Sequence, residues 1–530
     1  MGMERVNKYL ECVLFVLVLV GMTCLSSSMF VDGEIIPKWI CFLLWVLAVG
    51  IFNSTRTLIR PAKLKVFGDK QSMSIAFVAT SFIVALHGLL QYVGVLAPMG
   101  IFRVIGSFDN PAGYAMSLSM MFPFVLLGMT AKDRYLCLFS QITFVVVLVA
   151  LFLTESRTGM MSILIVLVAG GHRFVSKCLV VKWTLLIVWV LLFFGFMLLK
   201  VDSALGRFLI WSVTLKMIFD HWITGYGSGG FASGYMNYQA EFLSKHPDEK
   251  WLMLADNIQH PFNEFLYVWV NHGVLPVIAM IALILYLFMC YKKEKTQEKS
   301  AAFYSIVVVF VFSMFSYPFK YPLTYFVLLY SCTFLVHDEE WVRISVRLPN
   351  YFKRILSVVF ITLCIWYTYD ICCRVQYEFR WACTVSSNAY GEEQMRCYDD
   401  LKLTMSDNRY FMYNYAYALY HIGDYESASD ILTECSLLWA DYDVQILNGL
   451  VAMKQRRYAY AKSCFDRALQ MCPNRFRPLF LKLKIAEELG DTESVLECAN
   501  EIRNKKIKVY STEVVKITNY VNKLLYDYDN

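Results

Sequence analysis

The chain has 530 residues, of which 58% are hydrophobic and only 17% charged, with a net charge of +6. A soluble domain averages about a quarter charged residues, so the first two-thirds of this chain is too apolar to fold in water and is expected to be polytopic in a membrane. The modest positive balance lies mainly in short loops, as topology requires, which excludes a basic nucleic-acid face.

About eleven spans of roughly 20 apolar residues are expected. They cover 9–30, 38–54, 72–97, 112–130, 135–154, 158–172, 182–200, 263–291, 301–317, 320–336 and 354–372. The first reads as a retained helix, because it is long enough to span and shows no small-residue cleavage site. Basic residues alternate along the connections. Arg56, Arg60, Lys63, Lys65 and Lys70 share one loop, Lys132 and Arg134 the next, and Arg173, Lys177 and Lys182 the next. Lys292, Lys293, Lys295 and Lys299, then Arg343, Arg347, Lys353 and Arg354, complete the set. All five loops fall on the N-terminal side, which the positive-inside rule makes cytoplasmic. An odd number of spans then puts the C-terminus outside.

Two segments read as non-membrane, giving a membrane domain over 1–372 and a separate domain over 373–530. The first is a long outer loop, 201–262, with an amphipathic stretch (Phe208, Ile210, Trp211, Val213, Leu215, Met217, Ile218) and a cluster of Gly225, Gly227, Gly229 and Gly230. A loop of this length is usually functional. The second is the polar, aromatic tail, which repeats. Gly423-Asp424-Tyr425 with Ala428 recurs as Arg456-Arg457-Tyr458 with Ala461, and again as Gly490-Asp491-Thr492 with Val495. The period of 33 to 34 residues is that of tetratricopeptide-like helical hairpins, which stack to cover their apolar faces. The 16 cysteines form no CxxC pair, so zinc and redox motifs are unsupported. Cys12, Cys41 and Cys137 serve as small hydrophobes. Cys383, Cys397, Cys435, Cys464, Cys472 and Cys498 leave a disulfide open if the tail is extracytoplasmic.

Against the charge trend of the outer side stand Arg103, Arg157 and Arg207, each at the edge of an apolar segment. Clustered guanidiniums suit a multiply charged oxyanion such as a pyrophosphate. Arg103 precedes Gly106-Ser107-Phe108-Asp109-Asn110-Pro111, which also reads as a plain turn with Asn110 capping a helix that starts at Pro111. Arg157 lies in Glu155-Ser156-Arg157-Thr158-Gly159, where Glu155 is a candidate ion-pair partner and headgroup snorkelling an alternative role. Arg207 leads toward Gly225–Phe231, where Gly227 and Gly229 could let consecutive amides approach an anion. The run lacks the Walker lysine and strand–turn–helix context of a nucleotide loop. Finally His260-Pro261-Phe262-Asn263-Glu264 precedes Asn271-His272-Gly273 and brings a titratable pair to an outer helix mouth.

In order and spacing, GSFDNPAGYA, TESRTG, GRFLIW with GYGSGGF, and HPFNEFL with NHG resemble the O-antigen ligase/O-antigen polymerase superfamily of bacterial membrane glycosyltransferases. The motif match runs over roughly 70–290. The resemblance implies an all-α, GT-C-like polytopic domain, here followed by the repeat tail. It implies transfer of a glycan from polyprenyl pyrophosphate to a hydroxyl of lipid A core, another glycan or a protein. The setting is the outer face of the inner membrane, with the N-terminus cytoplasmic and the C-terminal domain periplasmic. Arg157 and Arg207, and more weakly Arg103, match the arginines that bind the donor pyrophosphate. His260 is the candidate base, but relatives often carry His immediately before the Asn-acid pair, where this chain has Phe262. Glu264 is therefore a second candidate base, and Asn263 or Glu264 a candidate to hold the acceptor. No paired acidic motif points to a divalent metal, so neither metal nor other cofactor is expected. Besides donor, acceptor and membrane lipids, the repeat tail could bind a protein partner through its concave face. Two alternatives stay open. A lipid-linked oligosaccharide transporter or flippase would more often carry charges at mid-membrane, and a scaffold would need one span rather than about eleven.

Overall fold

The computed structural model describes residues 2–59, 67, 70–98, 102–174, 187, 190, 195, 201–336, 349–386 and 391–529, and all regular structure among them is helical. Six helices open the chain: α1 (Gly2–Cys24), α2 (Ile36–Ile59), α3 (Lys70–Tyr92), α4 (Pro111–Gly128), α5 (Arg134–Leu153) and α6 (Arg157–Phe174). The span expected over 182–200 lies almost entirely outside the described residues. Then come α7 (Val201–Asp220), α8 (Gly230–Lys245), α9 (Glu249–Leu254), α10 (Glu264–His272), α11 (Val274–Lys293) and α12 (Gln297–Phe315). A 3-10 turn, Pro318–Lys320, leads to α13 (Pro322–Val336) and the long α14 (Asn350–Ser386). The tail holds α15 (Glu392–Met405), α16 (Arg409–Ile422), α17 (Tyr425–Leu438), α18 (Tyr442–Lys454), α19 (Tyr458–Met471), α20 (Arg477–Leu489), α21 (Thr492–Asn504) and α22 (Thr512–Asp529).

Among the described residues, seven helices are long and apolar enough to cross a membrane: α2, α3, α4, α5, α11, α12 and α14. The apolar parts of α6 and α13 are shorter. Three expectations change. The span expected over 263–291 breaks at Gly273, which takes a left-handed conformation (φ +77°), so its membrane part starts at Val274. A Cβ at Gly273 would lie 1.8 Å from the Ile223 carbonyl oxygen, a contact that only glycine permits. The segment expected as a loop over 201–262 contains three helices, α7 to α9. The boundary expected at 372/373 falls inside α14, which continues to Ser386 because no proline or glycine interrupts it.

The chain forms two compact units. The first comprises Met1–Lys200, Phe262–Glu264 and Ala279–Ala382, and the second Val201–Pro261, Phe265–Ile278 and Cys383–Asn530. In the first, α4 is apolar all round and buried on nearly every side, as expected of a helix at the centre of a bundle. Phe77 of α3 stacks on Phe124 of α4 with ring centroids 4.3 Å apart, and Phe326 and Tyr330 of α13 close the same cluster.

In the second unit the repeat register holds. α16/α17, α18/α19 and α20/α21 are hairpins whose turns lie at Gly423, Arg456 and Gly490. Each of these residues is left-handed, with φ +90°, +59° and +68°. Asp424 and Asp491 then cap the following helices by accepting from Ser427 N–H and Ser494 N–H, both at 3.1 Å. Ala428, Ala461 and Val495, the recurring small positions, are buried. The described cysteines are all free thiols.

Arg456 occupies a turn position where the two sister repeats use glycine. A non-glycine residue there costs roughly 1–2 kcal/mol, and the entropy of an added glycine takes back part of any gain. Arg456→Gly should therefore stabilise the fold by about 0.5–1 kcal/mol, read as a rise of a few degrees in the melting temperature of the detergent-solubilised protein. A fall in melting temperature would refute this.

Candidate functional site

The site residues divide between the units. Arg103, Arg157, Asn263 and Glu264 belong to the first, and Arg207, Gly227, Gly229 and His260 to the second.

In the first unit, the Gly106–Pro111 turn is fastened before it can act. The Gln91 amide oxygen accepts from Ile105 N–H (3.1 Å) and Gly106 N–H (2.8 Å), and its nitrogen donates to the Gly106 carbonyl (2.7 Å). Buried Lys38 donates to the carbonyls of Leu25, Glu34 and Ser107. Asn110 caps α4 by accepting from Gly113 N–H at 2.8 Å, with Pro111 at the first helical position. Its amide nitrogen also contacts the Tyr317 and Tyr321 hydroxyls. Lys320 pairs with Asp109 at 2.7 Å, and the Tyr321 hydroxyl donates to the same carboxylate. Lys320 is one of the few basic residues the sequence puts in an outer loop, but its neighbours Tyr317 and Tyr321 do not stand out there. Their signal is the polar, aromatic run Tyr317-Pro318-Phe319-Lys320-Tyr321 at the junction of the spans expected over 301–317 and 320–336. Arg103 is exposed. Its guanidinium lies 4.0 Å over the Tyr92 ring and donates to the Tyr92 carbonyl at 3.2 Å, which ties the loop after α3 back to that helix.

Arg157 is the first residue of α6 and is half-buried. The corner before it is tight. Thr154 Oγ1 accepts from Ser156 N–H at 3.1 Å, Ser156 Oγ accepts from Gly159 N–H at 3.3 Å, and Glu155 adopts φ +53°. Phe262 carries the same unusual φ, +53°, immediately before Asn263. Left-handed non-glycine residues are costly and concentrate where a structure holds functional groups in place. Asn263 and Glu264 are 5% and 3% exposed. The Asn263 amide donates to the Met314 carbonyl (3.3 Å), and a Glu264 carboxyl oxygen accepts from Phe319 N–H (3.3 Å). Burial pushes the Glu264 carboxyl up to about 7, and the Phe319 amide offsets only part of that rise. A carboxyl balanced between its two forms near neutral pH suits proton transfer.

In the second unit, Arg207 sits one helical turn before Trp211 on α7, so the two share a face. Trp211 Nε1 donates to the Pro261 carbonyl at 3.0 Å, holding the His260-Pro261 segment against that helix. The His260 ring stacks on Tyr267 with centroids 4.5 Å apart and planes 26° apart. Backbone amides of the Gly225–Phe231 run are engaged within the fold. Tyr226 N–H donates to the Val270 carbonyl (2.8 Å) and Gly227 N–H to the Asn271 carbonyl (2.9 Å), so these amides close the C-terminal end of α10. Buried Asn271 completes the joint. Its side chain accepts from Phe231 N–H (3.1 Å) and donates to the Tyr267 carbonyl (2.9 Å). Gly227 and Gly229 have φ +87° and +83°, and a Cβ on either would meet open space, so their conformation is what calls for glycine.

The 201–261 segment is docked on the repeats. Ala440 N–H donates to the Ala232 carbonyl (3.0 Å), and the Gln239 amide to the carbonyls of Asp256 (2.9 Å) and Met471 (2.8 Å). Arg467 reaches Asn237 at 2.8 Å, and Asp256 pairs with Arg475 at 2.7 Å. Gln259, the neighbour of His260, donates to Asp441 at 2.8 Å and accepts from Trp439 Nε1 at 3.0 Å.

No curated protein matches the chain. The crystal structure of yeast Tom70 aligns over 82% of this chain and 76% of its own, at 10% identity and a TM-score of 0.20, which is too low to carry an argument. Residues 142–277 match the O-antigen ligase family. That stretch includes Arg157, Arg207, the glycine cluster, His260, Asn263, Glu264 and Asn271. The resemblance therefore holds for the motifs within 142–277, the stretch that matches an O-antigen ligase domain.

Proposed function

We propose that the protein is a bacterial inner-membrane glycosyltransferase that moves a glycan from polyprenyl pyrophosphate to a hydroxyl acceptor outside the cytoplasm. The single observation behind this reading is the O-antigen ligase match over 142–277, which encloses two of the three outer arginines and the whole His260–Glu264 motif. The acceptor oxygen attacks the anomeric carbon, the bond from that carbon to the diphosphate oxygen breaks, and lipid pyrophosphate leaves. Arg157 and Arg207 are assigned to the charge that develops on the diphosphate, where fixed donors contribute most. Glu264 is assigned to take the acceptor's proton, because its carboxyl is poised near neutrality. Asn263 is assigned to acceptor positioning. His260, held on Tyr267, is the competing base. Gly227 and Gly229 shape the loop that closes α10, and Arg103 is a peripheral contributor.

The 201–261 segment and the repeats are read as lying on the same side of the membrane. That reading counts the shorter α13 as a crossing, so that the four helices α11 to α14 return the chain to the side it left. That both segments belong to one compact unit agrees with this parity.

The purified protein, given a polyprenyl-pyrophosphate glycan and a panel of lipid A core, glycan and protein acceptors, should form a new glycosidic bond. The rate should be unchanged by EDTA, and loss of turnover that Mg²⁺ or Mn²⁺ restores would overturn metal independence. Movement of the glycan across vesicles without bond formation would replace the enzyme with a flippase.

A further inference from the structure

α16 has a buried apolar face and a second, mainly aromatic face that also holds Asn414 and half-buried Tyr413. Phe411, Met412, Tyr415, Ala416, Ala418 and Leu419 are buried among the repeats. The other face carries Tyr410, Tyr413, Tyr417 and His421, spaced three, four and four residues apart and so aligned along the helix. A solvated helix face normally carries charges. Here Tyr410 is 44% and Tyr417 40% exposed, and His421 is exposed as well. The rings form a continuous series. Tyr413 lies 6.4 Å from Tyr417 with planes 23° apart, and Tyr417 lies 4.4 Å from His421. At the other end Tyr410 and Tyr413 meet Trp439 edge-on, at 5.0 and 6.1 Å. Arg409 lies over both Tyr410 and Trp439.

What distinguishes this stripe from a general contact surface is where it ends. Trp439 donates to Gln259, and Gln259 precedes His260 inside the segment that matches O-antigen ligases. Eleven residues of helix extend roughly 16 Å away from that point. A pyranose presents an apolar C–H face and a polar rim, and an exposed tyrosine presents a flat apolar ring with a polar tip. A row of such rings can hold successive sugars without charge. The ends of the stripe carry Arg409 and His421, which also tolerate acidic sugars.

We infer that the Tyr410–Tyr413–Tyr417–His421 face of α16 is a carbohydrate-binding track that holds a glycan chain running to or from the site beside His260. This inference rests on the glycan-transfer reading and extends it to the repeat domain. Donor and acceptor glycans share the required chemistry, so two probes are needed. One is the oligosaccharide pool released by mild acid from polyprenyl-linked lipids of the producing cells. The other is the pool released from their finished surface polysaccharide. Both are labelled with 2-aminobenzamide and titrated into the full-length protein in detergent.

Binding of either pool should weaken by about tenfold in the Tyr410→Ala/Tyr417→Ala variant, while Tyr410→Phe/Tyr417→Phe keeps most of the affinity because the rings remain. The pool that binds more tightly identifies the source. Matched melting curves for the Ala and Phe variants show that the fold is intact. Should the Ala variant bind both pools as tightly as the unmodified protein, the track is overturned. It is equally overturned if the Ala variant loses affinity for an unglycosylated Ser/Thr-rich peptide but not for glycan. Arg207→Ala separates the two readings. It should lose transfer yet still bind free oligosaccharide, so failure of the transfer reading leaves the track to be judged on the tyrosines alone.

Discussion

Glu264→Gln is expected to lower glycan transfer by roughly 10²–10⁴-fold, the usual contribution of a general base. The change keeps the size and shape of a side chain that is 3% exposed, and the amide oxygen can still accept from Phe319 N–H, so folding should survive. The pH profile gives the stronger check. With the carboxyl pushed up to about 7 by burial, the competent ionised form is scarce in acid and dominant in base. Transfer at saturating donor should therefore climb by about tenfold per pH unit below 7 and level off above it. Glu264→Gln should leave a low, flat profile. A wild-type profile that is level from pH 5.5 to 8.5 would remove the assignment. If His260→Ala flattens the profile and Glu264→Gln does not, the base is His260.

Arg207→Ala is the second large effect. Removing one donor to a developing oxyanion typically costs roughly 10²–10³ in turnover. Arg207 is half-buried on α7, one turn from Trp211, whose hydrogen bond to the Pro261 carbonyl should persist in the variant. The loss should fall on turnover more than on apparent donor affinity, because the leaving diphosphate gains charge as the bond breaks. Arg207→Lys should recover part of the activity, since charge is kept but the planar two-pronged donor is lost. Undiminished transfer by Arg207→Ala, with an unchanged melting curve, would remove the main donor-site assignment.

Some of the site was readable because it is local. Asn110 capping a helix that begins at Pro111 follows from the preferences of two neighbouring residues, and the structure has that cap. The Gly273 break was not readable in the same way. A glycine followed by an apolar run fits a continuous span, and only the close approach of the Ile223 carbonyl requires the left-handed turn. The glycine cluster is ambiguous in sequence for a related reason. Its composition fits both an anion cradle and a tight joint, and what separates them is the partner of each amide. The pairing of Tyr317, Lys320 and Tyr321 with Asp109 and Asn110, about 210 residues away along the chain, was not readable either.

The sequence alone determined that the chain is helical and membrane-bound, where its repeats begin and turn, and which family its motifs resemble. Each of these depends on composition or on a period of a few residues, which the physics of helix and bilayer reads directly. Only the tertiary structure decided that 201–261 packs with the repeats into one unit, that α10 is closed by the glycine loop, and that Asp109 collects a lysine and a tyrosine from the α12–α13 corner. Those choices pair surfaces up to about 230 residues apart, as Arg467 with Asn237. Pairing at that distance depends on shape and on which hydrogen-bonding groups each surface leaves over, and no local pattern encodes either.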